Sequence, residues 1–167
     1  YYVENVFEAL ETPGQWYLDR PTGTVYYLAK PREDPRRLQI IAPRLAQVIR
    51  FEGDVEKRQP VEHIRLKGLT FMHTEWELPA NKAGSSQAAV SVPGAIYWEG
   101  ARSCELRECT IAHIGNYAVE IAAGCEDNTI ASSAMFDLGA GGVKVGPGSA
   151  RTIVADNDIG DGGHIFH

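Results

Sequence analysis

The pattern of apolar, polar and glycine positions in the second half of the chain returns about every 24 residues. Short apolar-rich segments begin at residues 95, 118 and 142, and each is followed by two more, separated by Gly, Asn, Asp and Ser. Within Val119-Glu120-Ile121 and Val143-Lys144-Val145 the apolar residues alternate with period 2, which is typical of β-strands. Three short strands per repeat indicate one coil of a parallel β-solenoid, and a right-handed parallel β-helix is the interpretation that fits best.

Other repeat architectures fit this pattern less well. Ankyrin and tetratricopeptide repeats have longer periods and need amphipathic helices, and leucine-rich repeats need a Leu-x-x-Leu-x-Leu run that the chain lacks. Residues 63–71 echo the segments at 104–111 and predict one further coil, with the polar stretch 75–92 as a loop leaving it.

The first third of the chain has a different pattern. Residues 15–20 and 24–28 are rich in aromatic and β-branched residues and flank a Pro-Thr-Gly turn, which predicts a β-hairpin. Residues 31–37 read as a charged loop, and 38–42 and 46–51 as further strands. We therefore predict an all-β protein with a small antiparallel unit at 1–60, parallel coils at 61–167 and no helix.

Composition and charge narrow the range of partners. The formal net charge is −6 and Lys and Arg are scattered, so no basic stripe for nucleic acid is predicted. The apolar runs are far shorter than the roughly 20 residues of a membrane span. Three cysteines without metal-ligand spacing are predicted to be buried thiols. His164 and His167 form too weak a pattern to predict a metal site, and we predict no cofactor.

The ends of the chain suggest an excerpt from a longer protein. The sequence opens on Tyr1-Tyr2 without Met or signal peptide and stops soon after Gly162-Gly163, and neither end resembles the cap of a solenoid. Uncapped coil ends expose strand edges and core side chains, so self-association through them is expected.

Several segments resemble one enzyme family. Residues 1–10, 13–20, 22–27 and 68–71 resemble the bacterial right-handed parallel β-helix glycoside hydrolases, the group that contains β-xylosidases and α-L-fucosidases. Residues 136–143 and 157–163 also look like coil motifs of that group.

The resemblance implies a fold, a setting and an activity. Residues 1–60 would be part of a β-sandwich-like insertion, and coils would be missing on both sides of an internal fragment. The parent would act on a glycan or oligosaccharide, and we expect it to be secreted or periplasmic. The isolated fragment is expected to have little or no glycosidase activity, because its cleft would lose its walls.

Candidate catalytic residues follow from the coil alignment. Glycoside hydrolysis uses two carboxyl groups, about 5–5.5 Å apart for retention or roughly 6.5–9.5 Å for inversion. Asp137 and Asp161 lie 24 residues apart, and His113 lies 24 residues before Asp137, so the three should stack in adjacent coils, at a turn before the next strand. We assign Asp137 as nucleophile or base, Asp161 or Glu120 as general acid, and His113 as an orienting group.

A second column is predicted to bind the sugar. Strand alternation points Tyr97, Glu120 and Lys144 outward from one sheet, as an aromatic ring, an acid and a base in register. The resemblance implies that the general acid is a Glu, yet no Glu follows Glu126.

Alternatives remain open for each of these residues. Asp before Gly is often a structural turn residue, Glu120 and Lys144 can form a surface ion pair, and Asn128 is predicted to be a turn residue in a stacking ladder. The rival functions are a Ca²⁺-dependent polysaccharide lyase with Lys144 as base, and a non-catalytic β-helix that binds glycan or serves as scaffold.

Overall fold

A computed structural model describes residues 5–77 and 87–165, so His167, the first four residues and part of the predicted loop at 75–92 lie outside the described residues. The described chain is all-β, and its only helical segments are the 3-10 turns Phe7–Ala9, Pro35–Arg37 and Gln87–Ala89. None of them is long and apolar enough to cross a membrane.

Sixteen strands make up the described structure. In chain order they are β1 Trp16–Asp19, β2 Thr24–Tyr27, β3 Ile49–Glu52, β4 Val61–Glu62, β5 Arg65–Lys67, β6 Thr70–Thr74, β7 Gly94–Glu99, β8 Ala101–Arg102, β9 Glu105–Arg107, β10 Thr110–Ile114, β11 Tyr117–Ile121, β12 Thr129–Ala131, β13 Ala134–Leu138, β14 Val143–Val145, β15 Ile153–Ala155 and β16 Asp158–Ile159.

Two compact units divide the chain between Ile41 and Ala42. In the first, β1 and β2 pair antiparallel, which confirms the predicted hairpin. The ring of Phe7 lies 5.3 Å from that of Tyr17 and 5.2 Å from that of Tyr26, both edge-on, and closes one side of the hairpin. The strand predicted at 38–42 does not form.

The second unit consists of stacked parallel strands. Three four-stranded sheets have the orders β3-β7-β11-β14, β5-β9-β12-β15 and β6-β10-β13-β16, and a fourth pairs β4 with β8. We call the first three the β7, β9 and β10 sheets. The chain visits them in turn, so each strand pairs in parallel with its counterpart one repeat later, as Val119 does with Ile96 and Val143. The predicted short parallel strands are confirmed.

The segment before residue 60 differs from the prediction. We expected 46–51 to belong to the antiparallel unit, but β3 runs parallel to β7 with Ile49 opposite Ile96. The ring of Phe51 stacks flat on that of Trp98, with centroids 5.0 Å apart. Burial of these apolar side chains joins residues 42–60 to the second unit, so the boundary lies well before residue 60.

The core of the second unit is built from the inward residues of the strands. Leu106, Ile111 and Ile130 are fully buried in one cluster contributed by all three sheets. The three cysteines are buried free thiols, as predicted. Burial raises the pKa of Cys104 and Cys125, which keeps both in the unreactive protonated form.

Left-handed backbone positions follow a regular pattern in the second unit, at corners between strands in two columns and mostly within strands in a third. Left-handed residues recur five positions apart within a repeat and again at the same places in the next, with φ between 51° and 66°. They form three columns: His63, Ser103, Asp127 and Arg151; Gly68, Glu108, Ser132 and Asp156; His73, His113, Asp137 and Asp161. The left-handed region is costly for most residues, and Asp, Asn and His tolerate it better than most. The third column is made entirely of such residues.

Candidate functional site

The third left-handed column places titratable side chains side by side on the β10 sheet. Strand pairing matches Ala112 with Phe136 and Ile114 with Leu138, leaving His113 and Asp137 between them as an outward kink. The two residues therefore lie within their strands, whereas the alignment predicted a turn. Asp161 follows β16 at the equivalent position.

Polar contacts connect the third left-handed column with His164. Asp137 Oδ2 lies 2.5 Å from His113 Nδ1, and its other oxygen, Oδ1, lies 3.8 Å from His164 Nε2. The same His164 nitrogen lies 3.0 Å from Asp161 Oδ1. The carboxylates of Asp137 and Asp161 and the His164 imidazole each present one atom within 4.8 Å of the others. Asp137 thus contacts two histidines, which differs from the backbone contact of an Asx turn.

His73 and His164 also contact these side chains, and the sequence did not predict either of them as part of the site. The ring of His73 stacks on that of His113 with centroids 5.1 Å apart and planes 5° apart. The insertion of residues 75–92 hid this position, because it separates His73 from His113 by 40 residues, although aligning 63–71 with 103–111 would have revealed it. His164 was considered only as a partner of His167, because its contact with both acids depends on the bend after β16.

The cluster is open to solvent. The side chains of Asp137, Asp161 and His164 are 49%, 64% and 48% exposed. A Cβ built on Gly160, the residue before Asp161, would meet nothing within 4 Å. Phe136 is 41% exposed next to His113 and gives the site an apolar flank. A small polar ligand can therefore reach both carboxylates.

The second predicted column lies on the β7 sheet. Tyr97, Glu120 and Lys144 are in register there, while Asp137 belongs to the β10 sheet. The phenol of Tyr97 donates to Glu99 at 3.3 Å, and Arg50 covers its ring at 4.8 Å. Burial, with the nearby Glu99 carboxylate, raises the pKa of Tyr97.

Glu120 and Lys144 are engaged by the protein itself. The Lys144 ammonium lies 2.9 Å from Glu120 Oε1, and both side chains are mostly buried. It also donates to the carbonyl of Val92 at 2.6 Å, while Glu120 Oε2 accepts from Gly94 N at 2.9 Å. The pair therefore fastens residues 90–92 to the β7 sheet, and the Glu120 carboxylate is occupied by Lys144 and the Gly94 amide.

Replacing Lys144 with Met is expected to lower the free energy of unfolding by about 1–3 kcal/mol, because it leaves a Glu120 carboxylate only 16% exposed without its cation. Urea unfolding measures the change. The matched control is Lys67→Met, whose ammonium lies 3.1 Å from Glu108 with both side chains more than half exposed, and it should cost at most about 1 kcal/mol. Equal losses in the two variants would contradict the anchoring role.

Comparisons with models of known protein families, with curated proteins and with solved structures find no match for this chain. The chemistry of the site must therefore be argued from its own residues. Its main features are two carboxylates, one on β13 and one just after β16, each in contact with a histidine.

Proposed function

We propose that residues 42–167 form coils of a right-handed parallel β-helix, and that the chain is part of a glycoside hydrolase. Three sheets visited in turn, with each strand parallel to its counterpart one repeat later, support the coil. Parallel crossover connections are right-handed in almost all proteins, which supports the handedness. The activity is supported by the resemblance to β-helix glycoside hydrolases of residues 1–10, 13–20, 22–27, 68–71, 136–143 and 157–163.

One observation carries the enzymatic proposal: Asp137 and Asp161 occupy equivalent, exposed positions one repeat apart, with carboxylate oxygens within 4.8 Å. Carboxyl groups about 5–5.5 Å apart are typical of retaining glycosidases, while inverting enzymes separate them further. The spacing therefore favours retention of configuration at the anomeric carbon.

The proposed mechanism has two displacements. Asp137 attacks the anomeric carbon while Asp161 gives its proton to the departing glycosidic oxygen, leaving a glycosyl ester on Asp137. Asp161 then removes a proton from water, whose oxygen attacks the same carbon and releases Asp137. His113 donates through Nδ1 to Asp137 Oδ2 and orients the nucleophile, and His164 contacts Asp161.

The test is an assay of the full natural protein that contains this sequence, with aryl xylosides, aryl fucosides and plant cell-wall oligosaccharides. We expect hydrolysis with the product first appearing in the substrate's anomeric form, followed by NMR. An unsaturated sugar product that requires Ca²⁺ would identify a lyase and overturn the proposal. Saturable sugar binding without cleavage would instead identify a glycan-binding scaffold. The isolated 167 residues should show little activity, because neighbouring coils would form the cleft walls.

The last repeat supports a proposal about association. Val145, Val154 and Ile159 are 51%, 43% and 45% exposed, although their partners on the preceding strands are fully buried. In the described part of the chain no strand covers this edge of the three sheets. Open strand edges with apolar side chains promote pairing with another chain.

We therefore expect the 167-residue chain to self-associate as its concentration rises, as measured by light scattering. Val154→Lys should weaken association by placing a charge in the apolar edge. Ile40→Lys, at a site 67% exposed in the first unit, is the control and should leave association unchanged. A monomer at every concentration would contradict the expectation.

A further inference from the structure

Asp137, Asp161 and His164 together have the donor atoms of a metal site, and the two carboxylates also have those of a catalytic acid pair. We propose that Asp137, Asp161 and His164 bind one zinc ion. The inference goes beyond the proposed hydrolase activity, since ion binding does not require that either carboxylate be catalytic.

The distances among the three side chains suit a single ion. Zinc binds carboxylate oxygen and imidazole nitrogen at about 2.0–2.2 Å, so neighbouring ligand atoms in a tetrahedral site lie about 3.4 Å apart. His164 Nε2 is 3.0 Å from Asp161 Oδ1 and 3.8 Å from Asp137 Oδ1, which brackets that value. Small side-chain rotations would bring all three atoms onto one ion.

The backbone holds the ligands in place independently of any ion. The backbone amides of residues 163–165 donate hydrogen bonds to the carbonyls of residues 138–140, at the end of β13 and just after it. The bonds are Gly163 N to Ala140 O at 2.6 Å, His164 N to Leu138 O at 3.2 Å and Ile165 N to Gly139 O at 2.9 Å. Leu138 N in turn donates to the carbonyl of Asp161 at 2.9 Å. This network ties His164 and Asp161 to the strand that carries Asp137, so ordering them on metal binding costs little.

The outer contacts also match those of a metal centre. Ligating carboxylates are usually fixed by a hydrogen bond to their second oxygen. His113 Nδ1 supplies that contact to Asp137 Oδ2 at 2.5 Å, and the stacked ring of His73 supports His113. Asp137 Oδ1 is thereby turned toward His164 and remains available to an ion.

The donor types select zinc over calcium. Two carboxylates and one imidazole suit a borderline ion, whereas Ca²⁺ takes six to eight oxygen ligands and Mg²⁺ prefers an octahedral oxygen shell. The charge of a divalent ion would balance the two carboxylates. Three protein ligands whose side chains are about half exposed leave a fourth position for water.

The test is a titration of the chelator-stripped 167-residue chain with ZnCl₂ by calorimetry, with NMR of the histidine side-chain nitrogens in parallel. We expect one ion per chain and a large shift of the His164 Nε2 signal. Asp161→Asn and His164→Ala should weaken binding at least tenfold, and His113→Ala should weaken it through Asp137. Asp156→Asn is the control. Asp156 is an exposed acid at the left-handed position five residues before Asp161, and its variant should bind zinc with the affinity of the unsubstituted chain.

Circular dichroism and thermal melting establish that each variant is folded before its affinity is compared. Absence of saturable binding, equal affinity in His164→Ala, or a preference for Ca²⁺ over Zn²⁺ would overturn the inference. Assays of the full natural protein after removal of zinc keep the two proposals separate: zinc binding with no hydrolysis by the zinc-free protein would overturn only the hydrolase, and hydrolysis by a protein that binds no zinc would overturn only the ion site. If both hold, zinc should inhibit hydrolysis by occupying both carboxylates.

Discussion

Replacing Asp137 with Asn is expected to lower the kcat of the full natural protein at least about 10²–10⁴-fold, the contribution typical of one positioned catalytic group. The amide keeps the shape of the side chain but cannot form the glycosyl ester. Asp137 is half-exposed on β13, so the isosteric amide should leave the fold intact. Steady-state hydrolysis of an aryl glycoside measures the effect.

A rescue experiment separates a nucleophile from a positioning residue. In Asp137→Ala the vacated space admits azide, which should restore turnover and give a glycosyl azide of inverted configuration, because the anion attacks in place of the carboxylate. Asp156→Asn is the control and should retain full activity. Normal turnover in Asp137→Asn, or azide without effect in the alanine variant, would remove Asp137 from the nucleophile role.

Replacing Asn128 with Ala is expected to lower the free energy of unfolding by about 2–4 kcal/mol, a large share of the 5–15 kcal/mol of a typical domain. The side chain is fully buried; its Oδ1 accepts from Cys104 N at 2.9 Å and its Nδ2 donates to Ala101 O at 2.9 Å. Ala101 O keeps a second donor, Glu126 N, so the main cost is an unpaired Cys104 N–H. Urea unfolding followed by circular dichroism measures the loss.

Asn157 offers a matched control within the same unit. Its side chain makes the same two kinds of contact, accepting from Ser133 N at 3.0 Å and donating to Ile130 O at 2.9 Å, but it is only partly buried. Water can replace these bonds, so Asn157→Ala should cost about 1 kcal/mol. Similar losses for the two variants would show that burial does not set the cost.

The sequence contained the strand pattern because equivalent strands of each sheet bury the same face. Period-2 alternation at 119–121 and 143–145, recurring after 24 residues, predicted both the strands and their register, and the hairpin at 16–27 followed from its turn residues. The prediction that Asn128 is a turn residue in a stacking ladder rests on the same 24-residue spacing. Its side chain bonds to Cys104, 24 residues earlier, and to Ala101.

Other features depend on contacts between distant segments. The direction of β3 is decided by the stacking of Phe51 on Trp98, which no local pattern reveals. The ion pair between Glu120 and Lys144 was predicted as an alternative to a sugar site, but its burial was not, because that burial depends on residues 90–92 folding back over the pair. The left-handed columns were missed because residues as different as Arg151, Glu108 and Ser132 occupy them, so the backbone requirement leaves little trace in residue type.

The order of strands in the sheets has a kinetic consequence. Because each strand in the β7, β9 and β10 sheets pairs only with the strands one repeat before and after it, most ladders join residues about one repeat apart. The closure entropy to be overcome is then similar for every added repeat, and assembly can start at any neighbouring pair and spread in both directions. The pairings of β3 with β7, β5 with β9 and β6 with β10 all span the insertion at 75–92 and close longer loops, so we expect growth across that junction to be slower than elsewhere.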